Sequence, residues 1–241
     1  MRALVGILCL AVVVAPPAGT GATFTTSSTS PVSSIATLSL AAAEQDAPAS
    51  GIAGTVGLSW SASSSATSAS VTYYVLRRAA GSGSYAIVAG PTTDLHYTDL
   101  PAADGAYEYV VRTAASSFTA ETAPQTATSD RTVPSSVTLS AASGALGGDP
   151  TVEISWTAAV DATSGVATYA VYHAEVLTLL GPCPAAGSAD YSHTILTDEL
   201  TTALSVVTTL ALTYHCFYVV AHDAVGNESA ASNVTGPTAS H

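Results

Sequence analysis

The chain has no lysine. Of its 241 residues 9% are charged, against roughly 25% in an average soluble domain. The imbalance is acidic, with 17 Asp and Glu against five Arg and a formal charge of −12 at pH 7. Such a surface repels phosphate backbones and anionic headgroups, so nucleic acid and acidic lipid are poor partners. A membrane span is missing too: the apolar run Leu4 to Ala15 falls short of the roughly 20 residues that a helical crossing needs.

The motifs of chemistry are equally sparse. The six histidines (His96, His173, His193, His215, His222 and His241) show neither the HExxH pattern nor any paired ligand spacing. No G-x-S-x-G elbow exposes a nucleophilic serine, and the many serines lie in low-complexity loops. Asp190, Asp198 and Glu199 cluster in sequence, but three acids near one loop read as solvated surface rather than a glycosidase acid and base. Asp223, with Asn227 four residues on, could contribute to a Ca²⁺ site only if further oxygens joined it, and a turn is the preferred reading. The expectation is therefore no catalytic residues, no cofactor and no metal.

What is present begins with an export signal. Met1-Arg2, the run Leu4 to Ala15, Pro16-Pro17 and small residues ending near Gly21-Ala22 have the three regions of a secretory signal peptide, taken as residues 1–22. Cys9 does not make a lipid-anchor site, because Leu8 stands where a small residue is wanted. Residues 23–34 form a Ser/Thr-rich leader, either flexible and glycosylated or an extended strand awaiting a partner.

Period-two alternation then dominates, and no helical period with caps competes with it. Strands are expected at Ile35 to Ala41, Thr55 to Trp60, Tyr73 to Arg78, Tyr85 to Val88, Leu95 to Tyr97, Tyr107 to Thr113 and Thr119 to Thr128. After the linker Ser129 to Pro134 the plan repeats: Val137 to Ala141, Thr151 to Thr157, Thr168 to Ala174, a long excursion from Glu175 to Asp190, Ala203 to Val207, Tyr214 to His222 and Ser232 to Thr235. Three echoes support duplication. GLSW ending at Trp60 matches EISW ending at Trp156, VTYYVLRR from Val71 matches ATYAVYHA from Ala167, and YEYVVRTA from Tyr107 matches YHCFYVVA from Tyr214. Their spacing of about a hundred residues is the size of one small β-sandwich.

These strands, with DATSG at Asp161 to Gly165 and DAVGNES at Asp223 to Ser229, resemble the fibronectin type III domains of secreted bacterial proteins. The resemblance covers Ile35 to Thr238 and implies an all-β chain of two tandem immunoglobulin-like sandwiches, residues 35–129 and 133–238. Leu100-Pro101 through Tyr107 only loosely matches the family's tyrosine corner, and Thr208 to Tyr214 lacks its Pro and Gly. No Arg-Gly-Asp triplet supports integrin-type adhesion. Trp60 and Trp156 are expected as core anchors between sheets, and Tyr107 and Tyr214 as buried rings with locally satisfied hydroxyls.

With the signal removed, Cys183 and Cys216 remain, an even count that in an oxidising compartment favours a disulfide over a metal site or a catalytic thiol. Asn227-Glu228-Ser229 and Asn233-Val234-Thr235 match the N-glycosylation sequon. The resemblance implies a secreted, non-catalytic module that meets a protein or glycan at a cell surface. A structural subunit of an extracellular fibre, through self-association, and an accessory of a polysaccharide-degrading system are the alternatives.

Overall fold

The computed structural model describes residues 10–12, 21–26, 36–67, 70–143, 151–177, 181–192, 205–209 and 214–239. The chain divides into two compact units, Met1–Ser129 and Asp130–His241. Each is a β-sandwich. No helix among the described residues is long and apolar enough to cross a membrane.

In the first unit β1 (Leu10–Val12), β2 (Gly21–Thr26) and β3 (Ala36–Ala41) form an antiparallel sheet in that order. The last two residues of the expected signal peptide and the first four of the leader thus form one strand, paired from Gly21 opposite Ala41 to Thr26 opposite Ala36. Most of the expected signal peptide and the rest of the leader lie outside the described residues. The sandwich follows. One sheet is built on β6 (Val56–Ser61), which pairs with β4 (Glu44–Gln45), β5 (Ala49–Ser50) and, further along the chain, β9 (His96–Asp99). The other pairs β7 (Thr72–Ala79) with β8 (Ala86–Thr92) and with β10 (Gly105–Ala115). β11 (Phe118–Glu121) and β12 (Gln125–Ser129) both pair with β10.

The second unit uses fewer strands in the same plan. β13 (Leu139–Ser143), β14 (Thr151–Trp156) and β16 (Ser205–Thr209) make one sheet, with β14 central. β15 (Val166–Val176), β17 (Tyr214–Asp223) and β18 (Thr235–Ala239) make the other, with β17 central.

Alternation explains which residues meet between the sheets. Along β6, Val56, Leu58 and Trp60 are buried while Ser59 and Ser61 are exposed, and along β14 the same holds for Val152, Ile154 and Trp156 against Glu153 and Ser155. Each fully buried aliphatic or aromatic side chain contributes about 1.5–3 kcal/mol, so these two strands anchor their cores. Trp60 packs on Tyr73 with ring centres 5.9 Å apart, and Trp156 on Tyr169 at 5.7 Å. The Tyr73 hydroxyl accepts the N–H of Ser63, and the Tyr169 hydroxyl accepts that of Ala159. In both copies the hydrogen bond spans ten residues, so the same side chain fills the core and satisfies a buried backbone donor.

Several strand expectations shift. The strand beside β6 is the pair β4 and β5, from a stretch read as loop, whereas Ala36–Ala41 pairs with the leader strand instead. Pro48 separates β4 from β5, and Pro124 splits the expected strand Thr119 to Thr128 into β11 and β12, because proline has no N–H for a ladder. The last strand lies at Thr235–Ala239 rather than Ser232 to Thr235. Ser232 instead makes a two-way link to Val219, its hydroxyl and carbonyl-directed N–H replacing ladder geometry.

The third echo slips by one residue. Tyr73 stands opposite Thr113 and Tyr169 opposite Ala221, which makes Phe217 the counterpart of Tyr109 and His215 that of Tyr107. The core-facing residues of β17 are therefore His215, Phe217, Val219 and Ala221, and Tyr214 stands half-buried on the other side of the strand. Tyr214 is not a core anchor. A one-residue slip exchanges the faces of a strand, so matching tyrosines by type alone chose the wrong side. Tyr107 is half-buried against the first core, and its hydroxyl donates to the Ala103 carbonyl at 2.9 Å.

Removing the Tyr169 hydroxyl strands the Ala159 N–H without a partner. Tyr169→Phe is expected to cost about 1–3 kcal/mol in urea unfolding, and Tyr107→Phe, whose bond is exposed, less than about 1 kcal/mol.

Candidate functional site

Among the described residues, those with chemical potential gather in the second unit, in three groups. The first is on the outward side of β15 and β17. Cys183 and Cys216 form a disulfide, with Cα atoms 5.8 Å apart. Tyr172 and Tyr218 stack at 4.5 Å, and Tyr191 meets Tyr218 edge-on at 4.7 Å while donating to the Pro184 carbonyl. Burial raises the pKa of all three phenols, that of Tyr191 to about 12, so they stay neutral. The end of the excursion reaches the free edge of β15, where His173 and Ser192 exchange both backbone hydrogen bonds. A strand flanks β7 at that edge in the first unit; here a disulfide-tied loop takes its place. The sequence separation across the disulfide is 33 residues, and the chain-entropy model assigns closure of such a loop about 3–4 kcal/mol.

The second group is His173 and His215, both buried, with Nε2 of one 2.7 Å from Nδ1 of the other. One nitrogen donates and the other accepts. Nδ1 of His173 is buried without a partner. Burial first, and then the neighbouring His215, lower the His173 pKa to about 4. Of the remaining histidines, His96 is exposed, His222 lies 3.9 Å from Glu228, and His193 and His241 are outside the described residues.

The third group is three aspartates. Asp130, Asp161 and Asp223 each place a carboxylate oxygen within 4.8 Å of the others'. Asp130 and Asp223 are buried and Asp161 half-buried. Asp161 Oδ1 accepts the N–H groups of Thr163, Ser164 and Gly165, and Asp223 Oδ1 those of Val225 and Asn227, each Asp closing its own turn. Asp130 accepts from Thr132 and Ser164, and the Asn227 amide donates to Asp223 Oδ2 and to the Asp130 carbonyl. Asp161 Oδ2 and the Ser164 hydroxyl are buried and unpartnered. At an effective dielectric constant of about 20, two unit charges 4.8 Å apart repel by roughly 3–4 kcal/mol, so three ionised carboxylates here oppose one another strongly.

The turn role expected of Asp223 is real, and the further oxygens needed for a cation are now beside it. Asp130 and Asp161 were missed because Asp130 reads as linker and Asp161 lies 62 residues before Asp223. Their signal was the repeated turn chemistry, an Asp closing each of DATSG and DAVGN. Asp190 is exposed and accepts the Ser188 hydroxyl, while Asp198 and Glu199 are outside the described residues. Both sequon amides are engaged in the folded domain, Asn227 as above and Asn233 with both backbone groups of Leu139.

In the first unit three arginines are spent on pairing with carboxylates. Tyr109 and Arg77 both donate to Asp99 Oδ2, and burial with the Asp99 bond raises the Tyr109 pKa far above its usual range. Arg78 is bound by Glu108 and Arg112 by Glu121.

The two sheets of each unit, the Trp–Tyr pair between them and the Tyr107 corner settle the architecture. Both domains are two-sheet antiparallel β-sandwiches, the fold implied by the resemblance to fibronectin type III domains. Similar solved structures include the FN1–FN3 domains of chicken CNTN1, at 13% identity and a TM-score of 0.49, covering 89% of this chain and 76% of that one. The fibronectin(III)-like modules of Clostridium thermocellum CbhA are similar at 17% identity and a TM-score of 0.45, covering 80% of this chain and 90% of that one. No protein-family model and no curated protein matches the chain.

Two outcomes follow for the second domain. Reduction of the disulfide is expected to lower stability by about 3–4 kcal/mol, read as a fall in the urea midpoint of the transition that involves the second domain. The unfolded His173 imidazole binds its proton near pH 6.5 and the folded one only near 4, so between those values the unfolded chain holds more protons. Stability therefore falls as pH drops, by about 2–3 kcal/mol from pH 7 to 4.5, and His173→Gln should remove that part of the slope.

Proposed function

We propose that the chain is an exported, non-catalytic pair of fibronectin type III-like domains that binds a protein or glycan at a cell surface. One observation carries the reading: among the described residues, the disulfide cysteines, the two buried histidines and the arginines of the first domain are tied into structure. Cys183 and Cys216 are consumed in a disulfide, the two buried histidines bond to each other, and the paired arginines of the first domain are held by carboxylates. The disulfide suits an oxidising compartment, in keeping with residues 1–22 as an export signal. The acidic, lysine-free surface favours a neutral or basic partner over nucleic acid or anionic lipid.

The test is a paired assay on the purified chain. Retention on cells or on their extracted surface proteins and glycans, without release of reducing sugar or peptide, is the expected result. Hydrolysis of either substrate class that tracks with the purified chain would overturn the non-catalytic reading.

A second reading, a subunit of an extracellular fibre, draws on the leader. Thr23 to Thr26 of the leader pair with β3, and the same hydrogen bonds could be made by the leader of a neighbouring copy. Light scattering distinguishes the two: a mass that rises with concentration, and falls back when residues 23–34 are deleted, supports the fibre, and a constant monomer mass rejects it.

A further inference from the structure

We propose that Asp130, Asp161 and Asp223, with the Ser164 hydroxyl, form a Ca²⁺ site in the second domain. The proposal does not depend on the interaction reading above. Three carboxylates converge where two of them are buried, an arrangement that a cation would relieve. Proximity of acids alone does not make a site. The second observation is that two oxygens of the Asp161 turn, Asp161 Oδ2 and Ser164 Oγ, are shut off from solvent and have no hydrogen-bond partner. Buried polar atoms are nearly always satisfied, so an orphaned oxygen on one of the three carboxylates and an orphaned hydroxyl in the same turn point to a missing ligand. The Ser164 backbone N–H joins Asp130 Oδ2 to Asp161 Oδ1, which holds that residue among the acids.

The donor chemistry selects the ion. The set is oxygen only, which suits a hard cation and not zinc or copper. Three oxygens within 4.8 Å of one another lie within about 2.8 Å of a common point, so a small inward shift brings all of them into the Ca²⁺–O range of about 2.3–2.6 Å. Magnesium, at about 2.0–2.1 Å, would draw opposite ligands closer and keeps several waters of its own. The turns leave the carboxylates ready, because each Asp uses Oδ1 on its own loop's N–H groups and so is oriented before an ion arrives. The surrounding charge adds to the attraction: from Asp130 to the end of the chain there are ten acidic residues and one arginine. The other domain serves as an internal comparison. By the register of the central strands Ala115 stands where Asp223 does, and the loop of equal length after Trp60 puts Ser65 at the position of Asp161. The ion would tie three separate segments, the linker residue Asp130 and the two turns, into one unit of the second domain.

The experiment is a calorimetric titration of the intact chain with CaCl2, with MgCl2 at matched ionic strength, alongside thermal unfolding in EDTA and in each salt. Saturable binding of one Ca²⁺ per chain is expected, with a dissociation constant on the order of 0.1–1 mM as for extracellular modules. At 10 mM Ca²⁺ the melting transition of the second domain should rise by several degrees, and Mg²⁺ should produce less than half of that. Asp161→Asn keeps the Oδ1 acceptor of the turn and removes the charge, so it should weaken Ca²⁺ binding at least tenfold and leave the melting temperature in EDTA unchanged or higher. Ser164→Ala removes a hydroxyl that makes no hydrogen bond, so it should fold normally and bind Ca²⁺ two- to tenfold more weakly. The site is disproved by the absence of saturable binding up to 10 mM in the unmodified chain, by equal effects of the two salts, or by unchanged affinity in both variants.

Discussion

Each domain depends on one contact made twice, a tryptophan near the end of β6 or β14 lying against a tyrosine on the facing sheet. Trp60 with Tyr73, and Trp156 with Tyr169, hold the two sheets at core distance, and the tyrosine hydroxyl takes the N–H of the loop that follows the tryptophan. One side chain thus links packing, backbone satisfaction and loop path. Both indole N–H groups are buried without a partner. An unsatisfied donor costs about 1–3 kcal/mol, which the large apolar area of a buried indole offsets.

With that contact in place, the rest of each strand follows by parity. Side chains alternate faces, so the tyrosine sets which residues of its strand point inward, and the pairing across to β10 or β17 carries the choice over. The outward side was then free to diverge. In the first domain it holds charged pairs such as Arg78 with Glu108; in the second, aromatic stacking and a disulfide fasten the long excursion there. The duplicated plan therefore tolerates opposite surface chemistry over similar cores.

The polar interior of the second domain is where the copies differ most. A histidine pair lies in the core-facing row of β15 and β17, at the level where the first domain has Arg77 and Tyr107. Three carboxylates meet at the other end of those strands, where Val166 pairs with Asp223. Both groups are uncomfortable as they stand, one with an orphaned ring nitrogen and the other with an orphaned carboxylate oxygen. Such places make a domain responsive to pH or to ions, because a small change in charge acts where water cannot screen it.

Much of this was legible along the chain. Alternation made it all-β, the LSW and ISW strands announced two copies, and the even pair of cysteines in a chain read as exported pointed to their bond. Each rests on local spacing or a count, which a linear reading handles well. The register of Tyr214 was not legible, because YEYVVRTA and YHCFYVVA match by letter at an offset that puts opposite faces together, and only pairing with Tyr169 decides between offsets one residue apart. Nor was the aspartate cluster: Asp130, Asp161 and Asp223 are far apart in sequence, and each has a sufficient local explanation as linker or turn. The sequence by itself determined the strands, the duplication and the chemical types available; the tertiary structure decided which of those groups share a face or a point in space, because convergence of distant residues is set by strand pairing and loop closure rather than by any spacing along the chain.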